Sequence, residues 1–375
     1  MKKYLSVLLL TIAVLCGTGL NAKPKKVEGF TSADSDKAME SFQRLFYNPE
    51  MKLYSTTCDG KGRAAIWTQA IYWDMVMNAY IRTQDTRYLR LMEDVYQGAY
   101  EQYDGYNWNN TVEWFIYDDI MWWVISLARA YEITGEQHYL DLSRSGFRRV
   151  WEGGPDVPDN GSYDPEKGGM KWGWNRDEWR GKMACINYPT VIAAAILYNI
   201  TGEEDYLEKA VEIYGWARNN LFSPAVGIVA DSKHGDNPPH WKAHLYNQAT
   251  CIGAAVELYK ITGEKRYKKD AVRATDFVRH EMSDSEGLLP FENGIEQGVY
   301  AAIFAQYIIR LVEDCGRKEY LPWLRYNIDT AWGNRDRERG LTFKDFANPC
   351  PVGTIEVYDA SACPALMQVV PPAGK

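Results

Sequence analysis

One ten-residue phrase recurs along this chain. It reads "YEITGEQHYL" from Tyr131, "YNITGEEDYL" from Tyr198 and "YKITGEKRYK" from Tyr259. A weaker copy, "YIRTQDTRYL", starts at Tyr80, and a faint one, "VEDCGRKEYL", at Val312. The starts lie 51 to 67 residues apart, and repetition at such a period signals a stack or ring of small supersecondary units. The phrase has a physical reading. Apolar residues precede it at helical spacing, as in "VIAAAILYNI" before Thr201. Gly135, Gly202 and Gly263 suit the left-handed position that ends a helix. The glutamate that follows favours a new helix start through the dipole, and "YL" opens another apolar stripe. Each phrase is thus the tight turn of a helical hairpin.

Counting around these turns predicts twelve helices, near 34–46, 66–81, 86–103, 112–132, 136–150, 187–199, 203–220, 244–260, 264–281, 296–312, 317–331 and 356–368. Strand signals are sparse and short, as in "VGIVAD" at 226–231. Repeated hairpins form an open solenoid or a closed ring. Six that close on themselves make an all-α (α/α)6 toroid, expected here as a single domain over residues 23–375. In a toroid the helix before each phrase is an inner one. The connectors between hairpins, roughly 104–111, 151–186, 221–243 and 282–295, then all lead into inner helices at one rim. Long structured loops gathered at one face are where function concentrates.

The first residues read as a secretory signal. Lys2 and Lys3 form a basic start, Leu5 to Leu15 a short apolar run, and "LNA" ending at Ala22 a cleavage site. Residues 1–22 are therefore excluded from the fold, and an exported protein, periplasmic or extracellular, is expected. Cys16 admits a lipid anchor, but the large Leu15 before it argues against one. No later segment is expected to cross a membrane. The net charge is −8, and loss of Lys2 and Lys3 makes it more negative. Such a chain is a poor partner for nucleic acid or anionic lipid, whereas a neutral substrate is compatible. The 14 Trp and 26 Tyr exceed ordinary core needs and suit stacking on sugar rings. Cys58, Cys185, Cys251, Cys315, Cys350 and Cys363 are scattered and imply no particular pairing. A monomer is expected.

Chemistry concentrates in "WFIYDDIMWW", where Asp118 and Asp119 stand between large aromatics. Near a helix end, adjacent carboxyls come within roughly 5 Å, the spacing at which retaining glycosidases hold nucleophile and acid/base. Like-charge repulsion separates their titrations. The competing reading is that the pair caps the helix, which its dipole favours.

Several segments in order resemble glycoside hydrolase family 76, the endo-α-1,6-mannanases. They are "VEWFIYDDIMWWVISLARAYEITGEQHYL", "GGMKWGWN", "ACINYPTVIAAAILYNITGE", "LYNQATCIGAAVELYKITGE" and, less closely, "FENGIEQGVYAAIFAQYIIRL". The resemblance spans about residues 40 to 330. It implies an (α/α)6 barrel with an open groove, Asp118 as nucleophile and Asp119 as general acid/base. It also implies retaining hydrolysis within an α-1,6-mannose backbone, with no metal or organic cofactor.

Around the pair, Tyr246, Asn247 and Gln248 begin an inner helix, where amides hold either sugar hydroxyls or a neighbouring loop. Trp172 and Trp174 sit in a Gly-rich loop without apolar periodicity and are candidate stacking residues. Asn109, Trp122 and Asp231 complete the candidate substrate contacts. Trp122 and Trp123 differ by about 100° on a helix, so one of them faces the groove. His240 and His244 have a metal-ligand spacing, but Pro238 and Pro239 precede them and no third ligand is evident, so a rim role is expected. Two other functions stay open on these residues: a glycan-binding toroid without catalysis, and an (α/α)6 enzyme acting on another polysaccharide.

Overall fold

The computed structural model describes residues 29–154, 160–173 and 181–374. The expected leader with Cys16, and Trp174, lie outside the described residues.

Each turn phrase is built the same way. The glycines cap α4 (Tyr117–Thr134), α6 (Ala184–Thr201) and α8 (Leu245–Thr262) in the left-handed region, with φ of 74°, 71° and 71°. Their amides donate to the carbonyls of Tyr131, Tyr198 and Tyr259 at 2.8–2.9 Å. The threonine before each glycine closes the motif. Thr134, Thr201 and Thr262 donate to the carbonyl four residues back at 2.7–2.8 Å and accept the amide two residues on at 3.2 Å. At the end of α2 (Ile66–Thr83), Gln84 takes the glycine's place at φ 58°, and Thr83 makes the same pair of bonds. The glutamates of the phrase occupy the N-cap positions of α5 (Gln137–Glu152), α7 (Glu204–Asn220) and α9 (Lys265–Phe277) without a side-chain cap bond. They favour the helix dipole, and Glu203 and Glu264 also pair with Arg144 and Arg266, each at 2.9 Å.

The helices before the phrases form the inner wall, as expected. α2, α4, α6, α8, α10 (Tyr300–Asp314) and α13 (Ala362–Val369) each pack on the next, and α13 returns to α2. Around them stand α3 (Thr86–Gln102), α5, α7, α9, α11 (Leu321–Gly333) and α1 (Ser32–Phe46). The ring is an (α/α)6 toroid whose last hairpin joins the two ends of the chain, α13 with α1. Gln368 donates to the Ser35 carbonyl at 3.2 Å, and the Trp332 indole to Asp34 at 2.9 Å. The last predicted helix is broken at Ser361 into α12 (Val357–Ala360) and α13.

α2, α4, α6 and α8 are buried along most of their length, which weakens their amphipathic stripe. α6 is long and apolar enough to cross a membrane, contrary to expectation, but it is a buried wall of the barrel. Deep in the ring, Asp74 and Arg129 pair at 2.7 Å with both side chains under 10% exposed. Glu257 pairs with Arg310 beside them. The first pair ties α2 to α4 and the second α8 to α10.

The strand signal at 226–231 is displaced. Val229 bridges Phe222, and the ribbon forms between β3 (Lys182–Met183) and β4 (Ser232–Lys233). A second ribbon pairs β1 (Tyr47–Asn48) with β2 (Leu53–Tyr54). All six described cysteines are free.

Candidate active site

α4 begins at Tyr117, later than the periodicity predicts, because Ile116 is extended and bridges Gly173. The shift puts Asp118 and Asp119 at the second and third positions of the helix. Capping does not explain them. The N-cap residue is Ile116, with no side-chain cap bond, and Asp118 is buried at 8% exposure. Both carboxylates line a cavity of about 470 Å³ together with Trp67, Trp122, Trp172, Cys185, Tyr246 and Glu296.

This cavity sits where the inner helices start, and it has a register. Trp67, Asp118, Cys185 and Tyr246 are the second residues of α2, α4, α6 and α8, each 18 residues long. Counting back an equal distance from each turn phrase would have found Trp67 and Cys185, which sequence reasoning missed.

The pair's electrostatics are ordered. Burial pushes the Asp118 carboxyl up to about 7, opposed by the Cys185 thiol, the Trp172 indole and the amides at the helix start. Asp119 is pushed well above the ordinary carboxylate range by burial, by the charge of Asp118 and by that of Glu296. Nothing comparable to the helix-end donors at Asp118 relieves Asp119. These surroundings favour charge on Asp118 and a proton on Asp119.

Glu296 is the second miss. It sits before α10 at φ 68°, a left-handed conformation that costs a non-glycine residue roughly 1–2 kcal/mol. Its carboxylate accepts from the Trp67 indole N–H at 2.6 Å. Trp67 in turn lies 6.0 Å from Trp122. Strain at a cavity wall is characteristic of functional sites, but backbone strain leaves no mark in sequence. Tyr300, also at the wall, stacks on Tyr246 with centroids 4.1 Å apart.

The remaining sequence candidates divide. Trp122 lines the cavity while Trp123 is in the core, donating to the Ile66 carbonyl at 2.9 Å. Trp172 lines the cavity beside Asp118. Asn247 and Gln248 do not reach it. Both are fully buried. Asn247 donates to Asp231 and Gln248 to the Gly227 carbonyl, each at 3.4 Å. They anchor the connector ahead of α8, the loop-holding alternative rather than the sugar-holding one. The reason is their angle on the helix: with Tyr246 facing the cavity, the next two residues point outward into the loop. Asp231 stands behind the wall, with the His244 and His240 rings each 3.8 Å away. His244 is buried and bonds to Glu292. Asn109 lies in the connector before α4 and is not part of the cavity wall.

The family model for Glycosyl hydrolase family 76 matches residues 31–354. Among solved structures, the GH76A α-1,6-mannanase from Salegentibacter sp. HEL1_6 is 25% identical with a TM-score of 0.79, covering 90% of this chain and 98% of that one. An inactive variant of that enzyme, with two consecutive aspartates replaced by alanine, is in complex with α-1,6-mannotetrose; it is 24% identical over the same shares, with a TM-score of 0.79. Dfg5 from Chaetomium thermophilum, in complex with glucosamine, shares the fold at 13% identity and a TM-score of 0.70, covering 91% and 92% of the two chains. No curated protein matches in sequence.

Proposed function

The chain belongs to glycosyl hydrolase family 76, and we propose that it is an exported, retaining, endo-acting α-1,6-mannanase. The observation that carries this reading is the pair of adjacent carboxylates, Asp118 and Asp119, in the wall of one aromatic-lined cavity. Ionised Asp118 attacks the anomeric carbon of a mannosyl unit. Asp119 gives its proton to the departing glycosidic oxygen, and a covalent glycosyl–enzyme forms. Water then attacks the same carbon, Asp119 takes its proton, and Asp118 leaves as a carboxylate. Trp67, Trp122 and Trp172 give the groove apolar faces for the sugar rings. The likeness to a relative that is an α-1,6-mannanase supports the mannan backbone as substrate. The leader at residues 1–22 supports export.

A purely glycan-binding toroid is the weaker reading, since adsorbing a neutral sugar gives no reason to bury two adjacent carboxylates. The test is to incubate the protein with unbranched α-1,6-mannan and follow products by proton NMR. Short oligosaccharides appearing early with α-anomeric ends are expected. Asp118→Asn is expected to abolish turnover, and Asp119→Asn to slow it about 10²–10⁴-fold, the span of one general acid/base. Full activity in either variant removes that residue's role.

A further inference from the structure

The ribbon that walls the active-site cavity has a second side. Met183 of β3 lines the catalytic cavity, whereas its neighbour Lys182 lines another. In the preceding loop Trp172 and Lys171 divide in the same way. Strand alternation places successive side chains on opposite faces, so one thin wall serves two cavities. The second measures about 680 Å³, larger than the catalytic one and within the range of small-ligand sites.

Its lining is basic. Lys167, Lys171, Lys182, Lys233 and His234 meet there, against Asp164 and Asp236. Lys182 is paired with Asp164 at 2.9 Å, and Lys167 only loosely with the exposed Asp236 at 3.4 Å. Lys233 donates to the Asn237 carbonyl at 2.8 Å, a neutral partner. Lys171 has no carboxylate within ion-pair reach among the described residues. Among the described residues, Lys171 and Lys233 are thus without a carboxylate partner, in a protein whose net charge is −8. The Lys182 ammonium is lowered by burial, and Lys171 and Lys167 push it the same way although Asp164 opposes them. Trp216 forms the apolar side, with Lys182 Nζ 5.2 Å from its ring centre.

We propose that this second cavity binds an anionic group, a phosphate ester or a carboxylate, carried by the glycan on which the enzyme acts. Lysines recognise such groups as point charges, and the four that line this cavity, Lys171 and Lys233 foremost, supply the attraction. A charged branch held here lies one ribbon away from the reacting linkage, so the site selects decorated chains. The proposal rests on the glycan-hydrolase reading above. Its test does not depend on mannan cleavage.

The full chain is titrated calorimetrically with mannose 6-phosphate, glucuronate and mannose. Saturable binding of an anionic sugar is expected, with mannose showing none that depends on these lysines. Tighter binding of the phosphate ester than of the uronate assigns the site to phosphoryl groups, and the reverse order to carboxylates. The Lys171→Gln/Lys233→Gln double variant should weaken the anionic sugar about ten-fold or more, and added salt should weaken it in the wild type. The variant's melting temperature and its activity on neutral mannan should not change. Absence of saturable binding, or equal binding in the double variant, overturns the proposal. If an anionic sugar binds as described while mannan is never cleaved, the site stands and the substrate assignment fails.

Discussion

At the scale of single residues, burying Asp118 and Asp119 side by side is expected to make activity depend on neutral rather than acidic pH. Because the Asp118 carboxyl is raised to about 7, kcat/KM is expected to climb as pH rises toward neutrality. It is expected to fall again when Asp119, also raised, loses its proton. Glu296 contributes to that second limb through its charge. Glu296→Gln removes the repulsion, lowers the Asp119 pKa and is expected to move the alkaline limb of the kcat/KM profile to lower pH. An unmoved limb would detach Glu296 from the proton inventory. The same shifts bear on stability. Both folded-state values lie above the ordinary value of 3.8, so the folded protein holds more protons than the unfolded one. Their contribution is intact below about pH 4 and is lost progressively as pH rises through the folded values. The Asp118→Asn/Asp119→Asn double variant escapes that loss. Its melting temperature is expected to exceed the wild type's by a few degrees at pH 7, with the gap closing toward pH 4.

At the scale of elements, the inner helices hold their own loops. The fourth residue of α2, α6 and α8 is a fully buried amide: Gln69, Asn187 and Gln248. Gln69 brackets Tyr54 at both its amide and its carbonyl, each at 2.9 Å. Asn187 accepts the Met170 amide at 2.8 Å and donates to the Met170 and Met183 carbonyls at 3.0 and 2.8 Å. These bonds fix the segment that carries Trp172 to the cavity. Asn187→Leu is expected to cost about 2–3 kcal/mol, because buried backbone groups lose their partners. It should also raise KM for mannan more than it lowers kcat, measured by steady-state kinetics on the folded fraction. The recurrence of an amide at this position was visible in the sequence, but its target was not. Amides at a helix start serve a loop or a ligand equally well until the loop's path is known. Asn247 and Gln248 were therefore legible as important positions and illegible as to role.

At the scale of the whole molecule, closure depends on groups far apart in sequence. The Asp74–Arg129 pair is buried between α2 and α4, where a lone charge is costly. Arg129→Ala strands the Asp74 carboxylate and is expected to cost about 3–5 kcal/mol, read as a lower denaturant midpoint. Replacing both partners with apolar residues should cost much less.

Local chemistry was enough to write the hairpins into the chain. The Thr-Gly turn satisfies its own backbone within a few residues, so its phrase marks helix ends wherever it appears. Those ends name the inner helices and place Asp118 and Asp119 near a rim. Long-range contacts then set what no phrase encodes. The bridge from Ile116 to Gly173 moved the start of α4 and turned the aspartates into the cavity. Glu296 and Trp67 met across more than two hundred residues, and the lysines at 167, 171, 182 and 233 gathered on one side of a ribbon whose partner strand is distant in sequence. Side-chain direction and electrostatic environment are properties of neighbours in space, and a helical repeat specifies those only after the ring has closed.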